Sequence, residues 1–191
     1  LAPRDLSDLA QRADMVLVMD MLEHVPDDFQ VFSSIAGSLK PGALMLVTVP
    51  AEESLWSVHD ESFGHYRRYD MPRLMRVWEG LPVSVRLLSY FNARLYPLIK
   101  AARQVSRWRG KPMGRAGTDF AIPLAPVNRM LTCLFEGESR RLLGAIDWPR
   151  PRVYRRGVSL IALLRRDAGE FAVRPRPGDV PADLHVPGIH A

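Results

Sequence analysis

Two short stretches concentrate the residues able to move protons or hold ligands. The first is Asp20-Met21-Leu22-Glu23-His24, in which two carboxylates stand three residues apart and an imidazole adjoins the second. The second is Gly64-His65-Tyr66-Arg67-Arg68-Tyr69, preceded by His59-Asp60. Histidine titrates near neutrality, so His65 with Tyr66 beside it is the candidate for a general base or a substrate contact, and His24 is a further candidate. Structural roles compete with these. Glu23 and His24 could cap the helix that follows, and Tyr66, Arg67 and Tyr69 could pin their loop by hydrogen bonds and stacking. Asp20, Glu23 and His24 also have the donor types of a metal set. Three ligands within five residues rarely converge without further support, so no metal centre is expected.

The elements that must position these residues can be read from periodicity. Met15–Met19 is an apolar run ending at Asp20, and Leu44–Val49 is a second ending at Pro50. Both have the length and β-branched content of strands buried on two faces. Between them Val25-Pro26-Asp27-Asp28 starts a helix, with acidic groups in its first turn where the helix dipole favours them. Phe29, Phe32, Ile35, Ala36 and Leu39 give that helix one apolar stripe, and Lys40-Pro41-Gly42 ends it. In a strand-helix-strand unit of an open α/β sheet, ligands sit beyond the carboxyl ends of the strands. That rule places Asp20–His24 and Pro50–Glu53 at a site.

DMLEHVPD followed by SLKPGALMLVTVP resembles the fourth to fifth strands of class I S-adenosylmethionine-dependent methyltransferases, in which "LEHV" and "LKPGG" recur; Ala43 stands at the second glycine. His59-Asp60 with GHYRRY resembles a segment of one branch of these enzymes, and Gly157-Val158-Ser159-Leu160 resembles the strand near that branch's end. The resemblance spans roughly residues 8 to 167, and three motifs in order are more specific than any one. It implies an α/β fold: a partial Rossmann-like doubly wound sheet, the second half of a class I methyltransferase fold, with an inserted helical region. Strands are expected near 15–19, 44–49, 83–90 and 158–164, the last antiparallel and inserted between the second and third. The implied activity is methyl transfer with S-adenosyl-L-methionine as cofactor, and Asp20, Met21, Leu22 and Glu23 occupy the positions of cofactor contacts. The family's glycine-rich loop and its ribose-binding carboxylate find no counterpart here. The sequence is therefore expected to be a truncated enzyme that binds cofactor poorly by itself. The alternative is a non-catalytic or partner-completed subunit with a degenerate fold.

The rest of the chain bounds these readings. Its 191 residues are 47% hydrophobic and 25% charged, enough for one globular domain with a real core. The expected division is a domain over 1–168, with a helical insertion at 92–148, and an irregular Pro-rich tail over 169–191. Asp70-Met71-Pro72 starts a helix that Gly80 stops, and Val83, Val85, Leu87 and Leu88 mark a strand. Within the insertion Leu95, Leu98, Ile99, Ala102, Val105 and Trp108 form a helical stripe among Arg94, Lys100, Arg103, Arg107, Arg109 and Lys111. A basic amphipathic helix over 94–109 can lie on an anionic membrane or cover the protein's own core. A second helix runs from Val127 to Leu143, and Cys133 on it is expected to be a small buried residue. A single cysteine fits a reducing, cytoplasmic location, peripheral to the membrane if that helix binds it. The net charge of +5 permits anionic partners, but aromatic interleaving is too sparse for a nucleic-acid surface. A small-molecule or lipid-like methyl acceptor is expected. Neither the acceptor nor the oligomeric state can be read from the residues.

Overall fold

The computed structural model describes residues 3–108, 124–147, 153–169 and 171. Ten elements carry the fold: α1 (Pro3–Arg12), β1 (Met15–Met19), α2 (Asp28–Ser38), β2 (Leu44–Pro50), α3 (Val58–Ser62), α4 (Met71–Arg76), β3 (Val83–Phe91), α5 (Tyr96–Trp108), α6 (Ala125–Leu143) and β4 (Ser159–Arg166). The sheet has the order β1-β2-β4-β3. β1 runs parallel to β2, and β4 runs antiparallel to both β2 and β3. The last strand thus inserts between the second and third as expected, and the sheet is the later half of a doubly wound, Rossmann-like fold.

Local chemistry accounts for the helices that frame the site. The Asp27 side chain accepts from the Gln30 N–H at 2.8 Å and caps α2. Asp70 does the same for α4, accepting from Arg73 N at 2.7 Å, with Pro72 in the first turn. Gly42, at φ +88°, makes the turn into β2 that any side chain would strain.

The two faces of the sheet are covered unequally. On one face Val18, Met45, Val47, Val49, Leu160, Ala162 and Leu164 pack against Phe32 and Ala36 of α2 and against Leu74, Val77 and Trp78 in and after α4. On the other, Leu87 and Leu163 meet Leu142 at the end of α6, with Leu44 and Leu46 at the margin. β1 is not buried on both faces as expected. Its inward residue Val18 is buried, but Met15, Leu17 and Met19 lie exposed on the opposite face, Leu17 by 59%. Among the described residues no helix covers that face of β1. Side chains alternate along a strand, so one uncovered face exposes every second residue.

The insertion departs from expectation too. Glu138 of α6 accepts from the backbone N–H of Ala93 and Arg94 at 3.2 and 2.7 Å, which ties the two helices at the entry to α5. Leu95, Ile99 and Ala102 are half-buried, whereas Leu98, Val105 and Trp108 point outward, Trp108 by 95%. The stripe is therefore split between the core and solvent: its six residues span more of the helix circumference than one contact can cover. Cys133 is exposed, not buried, because α6 touches the sheet only towards its carboxyl end. Arg109 and Lys111 of the basic stripe, the Trp148-Pro149-Arg150-Pro151 break and nearly all of the expected tail lie outside the described residues.

Candidate active site

The carboxyl ends of β1 and β2 carry the site. Asp20 ends β1 in the left-handed region, φ 46°, and its N–H donates to Thr48 O at 2.9 Å across the strand pair. The reversal throws Leu22–His24 into a single helical turn. Leu22 packs into the core, Glu23 is buried and His24 is exposed. The segment leaving β2 folds back over this turn. Tyr69 N donates to Pro50 O at 2.9 Å, and Tyr66 N donates to Glu23 O at 2.7 Å, so the GHYRRY segment is stitched to both strand ends.

At the centre of this layer Asp60 is fully buried and surrounded by donors. His65 Nδ1 lies 3.0 Å from Oδ1, and Arg68 donates through Nε at 2.8 Å and Nη2 at 3.2 Å. The backbone N–H and the hydroxyl of Ser57 reach Oδ2 at 2.8 and 3.1 Å. Burial by itself would raise the carboxyl of Asp60, but the bonds from His65 and Arg68 outweigh it and hold it far below the usual carboxylate range. An ionised carboxylate only accepts, so Nδ1 of His65 is the donor in this contact, and in the neutral form of the ring Nε2 is the acceptor.

The ring of His24 meets that of His65 edge-on, with centroids 4.6 Å apart. Burial, reinforced by the neighbouring His65, lowers the His24 pKa. Burial pushes the Glu23 carboxyl up to about 7, and its Oε2 is buried with no hydrogen-bond partner. One oxygen of Glu23 and one ring nitrogen each of His24 and His65 lie within 4.8 Å of one another.

Of the residues singled out in the sequence, His24, Glu23 and His65 are brought together. Tyr66 lies beside them and lines a cleft of about 670 Å³ with Glu52, Trp56, Arg67, Arg68 and Arg73. Arg67 borders the cleft but its guanidinium is engaged by structure: it is buried, donates to Pro26 O at 2.5 Å and pairs with Asp28, to which the Tyr69 hydroxyl also donates at 2.8 Å. Asp60 and Arg68 stand in the second of the two stretches, but residue types and spacing assign neither of them a particular role. The signal that could have found them is the density of charge in a stretch whose partners are other residues of the same stretch.

Of the expected cofactor contacts, Asp20 and Met21 reach the surface, whereas Leu22 and Glu23 are enclosed. Among the described residues the outward face of β1 is bare, and the sequence holds no glycine-rich turn at a strand end.

Comparison with known proteins bears on the family. A family model described as a methyltransferase domain matches residues 2–99. None of the curated proteins matches the chain. Among solved structures, a candidate sarcosine dimethylglycine methyltransferase from Galdieria sulphuraria is similar at 17% identity, covering 81% of this chain and 53% of that one, with a TM-score of 0.40. A phosphoethanolamine N-methyltransferase 2 from Haemonchus contortus, in complex with S-adenosyl-L-methionine, is similar at 15% identity, covering 81% and 33%, with a TM-score of 0.41. The chain thus spans about half the length of the first and a third of the second. The family match takes in just over half of the 191 residues, from α1 to the start of α5, and includes the Leu22–His24 turn and the GHYRRY segment: the chain belongs to the methyltransferase-domain family, as a class I member.

Proposed function

We propose that this chain is the acceptor-side portion of an S-adenosylmethionine-dependent methyltransferase acting on a small-molecule or lipid-like acceptor. The observation that carries the reading is the orientation of His65. A buried Asp60, itself held by Arg68, takes Nδ1 and leaves Nε2 basic at the carboxyl edge of the sheet. Methyl transfer asks mainly for alignment of the attacking atom, with a base where that atom carries a proton. His65 supplies the base. Tyr66, shared between the cluster and the cleft, contacts the acceptor, and His24 is the second imidazole at the mouth. The remaining wall of the cofactor pocket is supplied from outside this sequence, so the chain alone binds S-adenosylmethionine more weakly than micromolar.

A lipid-like acceptor is favoured by α5. Arg103 of that helix comes within 4.0 Å of the Asp60 carboxylate, so α5 lies beside the site. Its outward residues Leu98, Val105 and Trp108 are apolar, and its sequence carries Lys100, Arg103 and Arg107 with no acidic residue. Such a face suits peripheral attachment to an anionic lipid surface. No helix among the described residues is long and apolar enough to cross a membrane. A cytoplasmic location is part of the same proposal. The bare face of β1 favours the second reading, a subunit completed by a partner.

The test is methyl transfer from S-adenosylmethionine by a longer protein that joins this sequence to a glycine-rich first strand, comparing lipid, small-molecule and protein fractions as acceptors. His65→Gln should lower kcat by about 10²–10⁴-fold, the usual worth of a positioned base. An unchanged kcat refutes the role of His65, and transfer to none of the fractions refutes the function. Calorimetric titration of the 191-residue chain with S-adenosylmethionine checks the incomplete pocket, and micromolar affinity overturns it.

A further inference from the structure

The sequence places Asp20, Glu23 and His24 close together but provides no further donor to complete a metal set. The fold brings one from elsewhere. His65, 41 positions beyond His24, puts a ring nitrogen within 4.8 Å of donor atoms of both Glu23 and His24. Glu23 is 1% exposed and its Oε2 has no hydrogen-bond partner. A buried carboxylate oxygen left unpaired is costly, and it needs either a proton or a cation. The surroundings of His65 distinguish between these two. Ligating histidines characteristically donate their second ring nitrogen to a carboxylate, which fixes tautomer and ring plane. His65 does this with Asp60 at 3.0 Å, and Asp60 is locked in turn by Arg68 and Ser57. That support turns the other ring nitrogen of His65 toward the cluster that holds the unpaired Glu23 oxygen.

We propose that Glu23, His24 and His65 form a binding site for a divalent transition-metal ion, with Oε2 of Glu23 and Nε2 of His65 as the two buried donors and His24 as the solvent-side one. Two imidazoles and one carboxylate suit Zn²⁺, Co²⁺, Mn²⁺ or Fe²⁺ and disfavour Ca²⁺ and Mg²⁺, which take oxygen sets. Ligands about 2.1 Å from a tetrahedrally held ion stand about 3.4 Å apart, so binding draws the donors together by up to about 1.4 Å. His24, being exposed, has the space to make that movement. Three protein ligands leave a coordination position open to water or to an oxygen of the acceptor, and because the ion takes the Nε2 lone pair, the base of the metal-loaded protein would be a metal-bound hydroxide, His65 itself serving as base only in the metal-free protein. Only that last role rests on the methyl-transfer reading. Binding of the ion does not, and the experiment uses no cofactor.

Chelator-treated chain is titrated with Co²⁺, followed by its visible absorption, and then displaced with Zn²⁺. One equivalent per chain with d–d bands typical of four or five coordination is expected, and protons are released as the imidazoles and carboxyl give them up. Glu23→Gln and His24→Ala should each remove the bands. The first is isosteric and the second is at the surface, so both leave far-ultraviolet circular dichroism unchanged. Asp60→Asn should retain the bands while weakening Co²⁺ about 10–100-fold, as loss of an orienting carboxylate does. The proposal is overturned if the folded chain takes up no Co²⁺. It is also overturned if uptake survives both Glu23→Gln and His24→Ala, or if Asp20→Asn removes it while Glu23→Gln does not.

Discussion

Replacing Asp60 by Asn tests the reasoning about the site more directly than any change at its surface. The side chains are close in shape, so the substitution removes charge and one acceptor without opening a cavity. Asp60 is fully buried and accepts from His65, twice from Arg68 and twice from Ser57. Arg68 is 5% exposed and would keep its bond to the Ala51 carbonyl, 3.0 Å away, and at most one bond to a neutral amide oxygen in place of two to a carboxylate. A buried pair broken on one side leaves an uncompensated charge, which costs about 3–5 kcal/mol. For a chain of this size that corresponds to a Tm lower by about 6–20 °C. The pH dependence carries a sign as well. Because the folded carboxyl is held far below its unfolded value near 4, its contribution is fully present above about pH 4 and fades as the solution is made more acid. Urea unfolding of both proteins at pH 7 and at a series of lower pH values measures this. A deficit below about 1 kcal/mol at pH 7 would place Asp60 among ordinary surface pairs. A deficit that stays constant into acid would show that its ionisation is not what stabilises the cluster. As a control, Asp14→Asn breaks the exposed pair with Lys40 at 2.6 Å and should leave the midpoint where it was.

Other consequences follow from the packing. Gly157→Ala should destabilise by about 1–3 kcal/mol in thermal or urea unfolding, because a Cβ there would overlap the carbonyl oxygen of Phe91 on the neighbouring strand. Leu17→Lys, on the exposed face of β1, should leave stability nearly unchanged and reduce self-association in light scattering; equal association by the variant would mean that this face is not sticky. Leu98→Glu with Trp108→Glu should lower co-sedimentation with anionic phosphatidylserine vesicles several-fold and leave the circular dichroism intact, while equal binding would remove α5 from any membrane contact.

Much of the frame is legible in the order of residues alone. The apolar runs at Met15–Met19 and Leu44–Pro50, the caps Asp27 and Asp70, and the turns at Gly42 and Gly80 are local decisions, set by neighbours along the chain, and they fall where periodicity puts them. The order of motifs carries the topology, down to the last strand entering antiparallel between its neighbours. What the sequence cannot decide is which surfaces find a partner. A stripe such as Leu95–Trp108 reads the same whether a core covers it or solvent does. Cys133 and Leu17 lie outside because burial is settled by the elements that arrive from far along the chain. The site obeys the same limit. Glu23 and His24 are neighbours in sequence, but their meeting with His65, and the Asp60–Arg68 pair that orients that ring, exist only because the segment after β2 folds back onto the turn after β1. Residue types supply the possible donors; the contacts between them, and hence the charges and free lone pairs on which chemistry depends, are decided by tertiary structure alone.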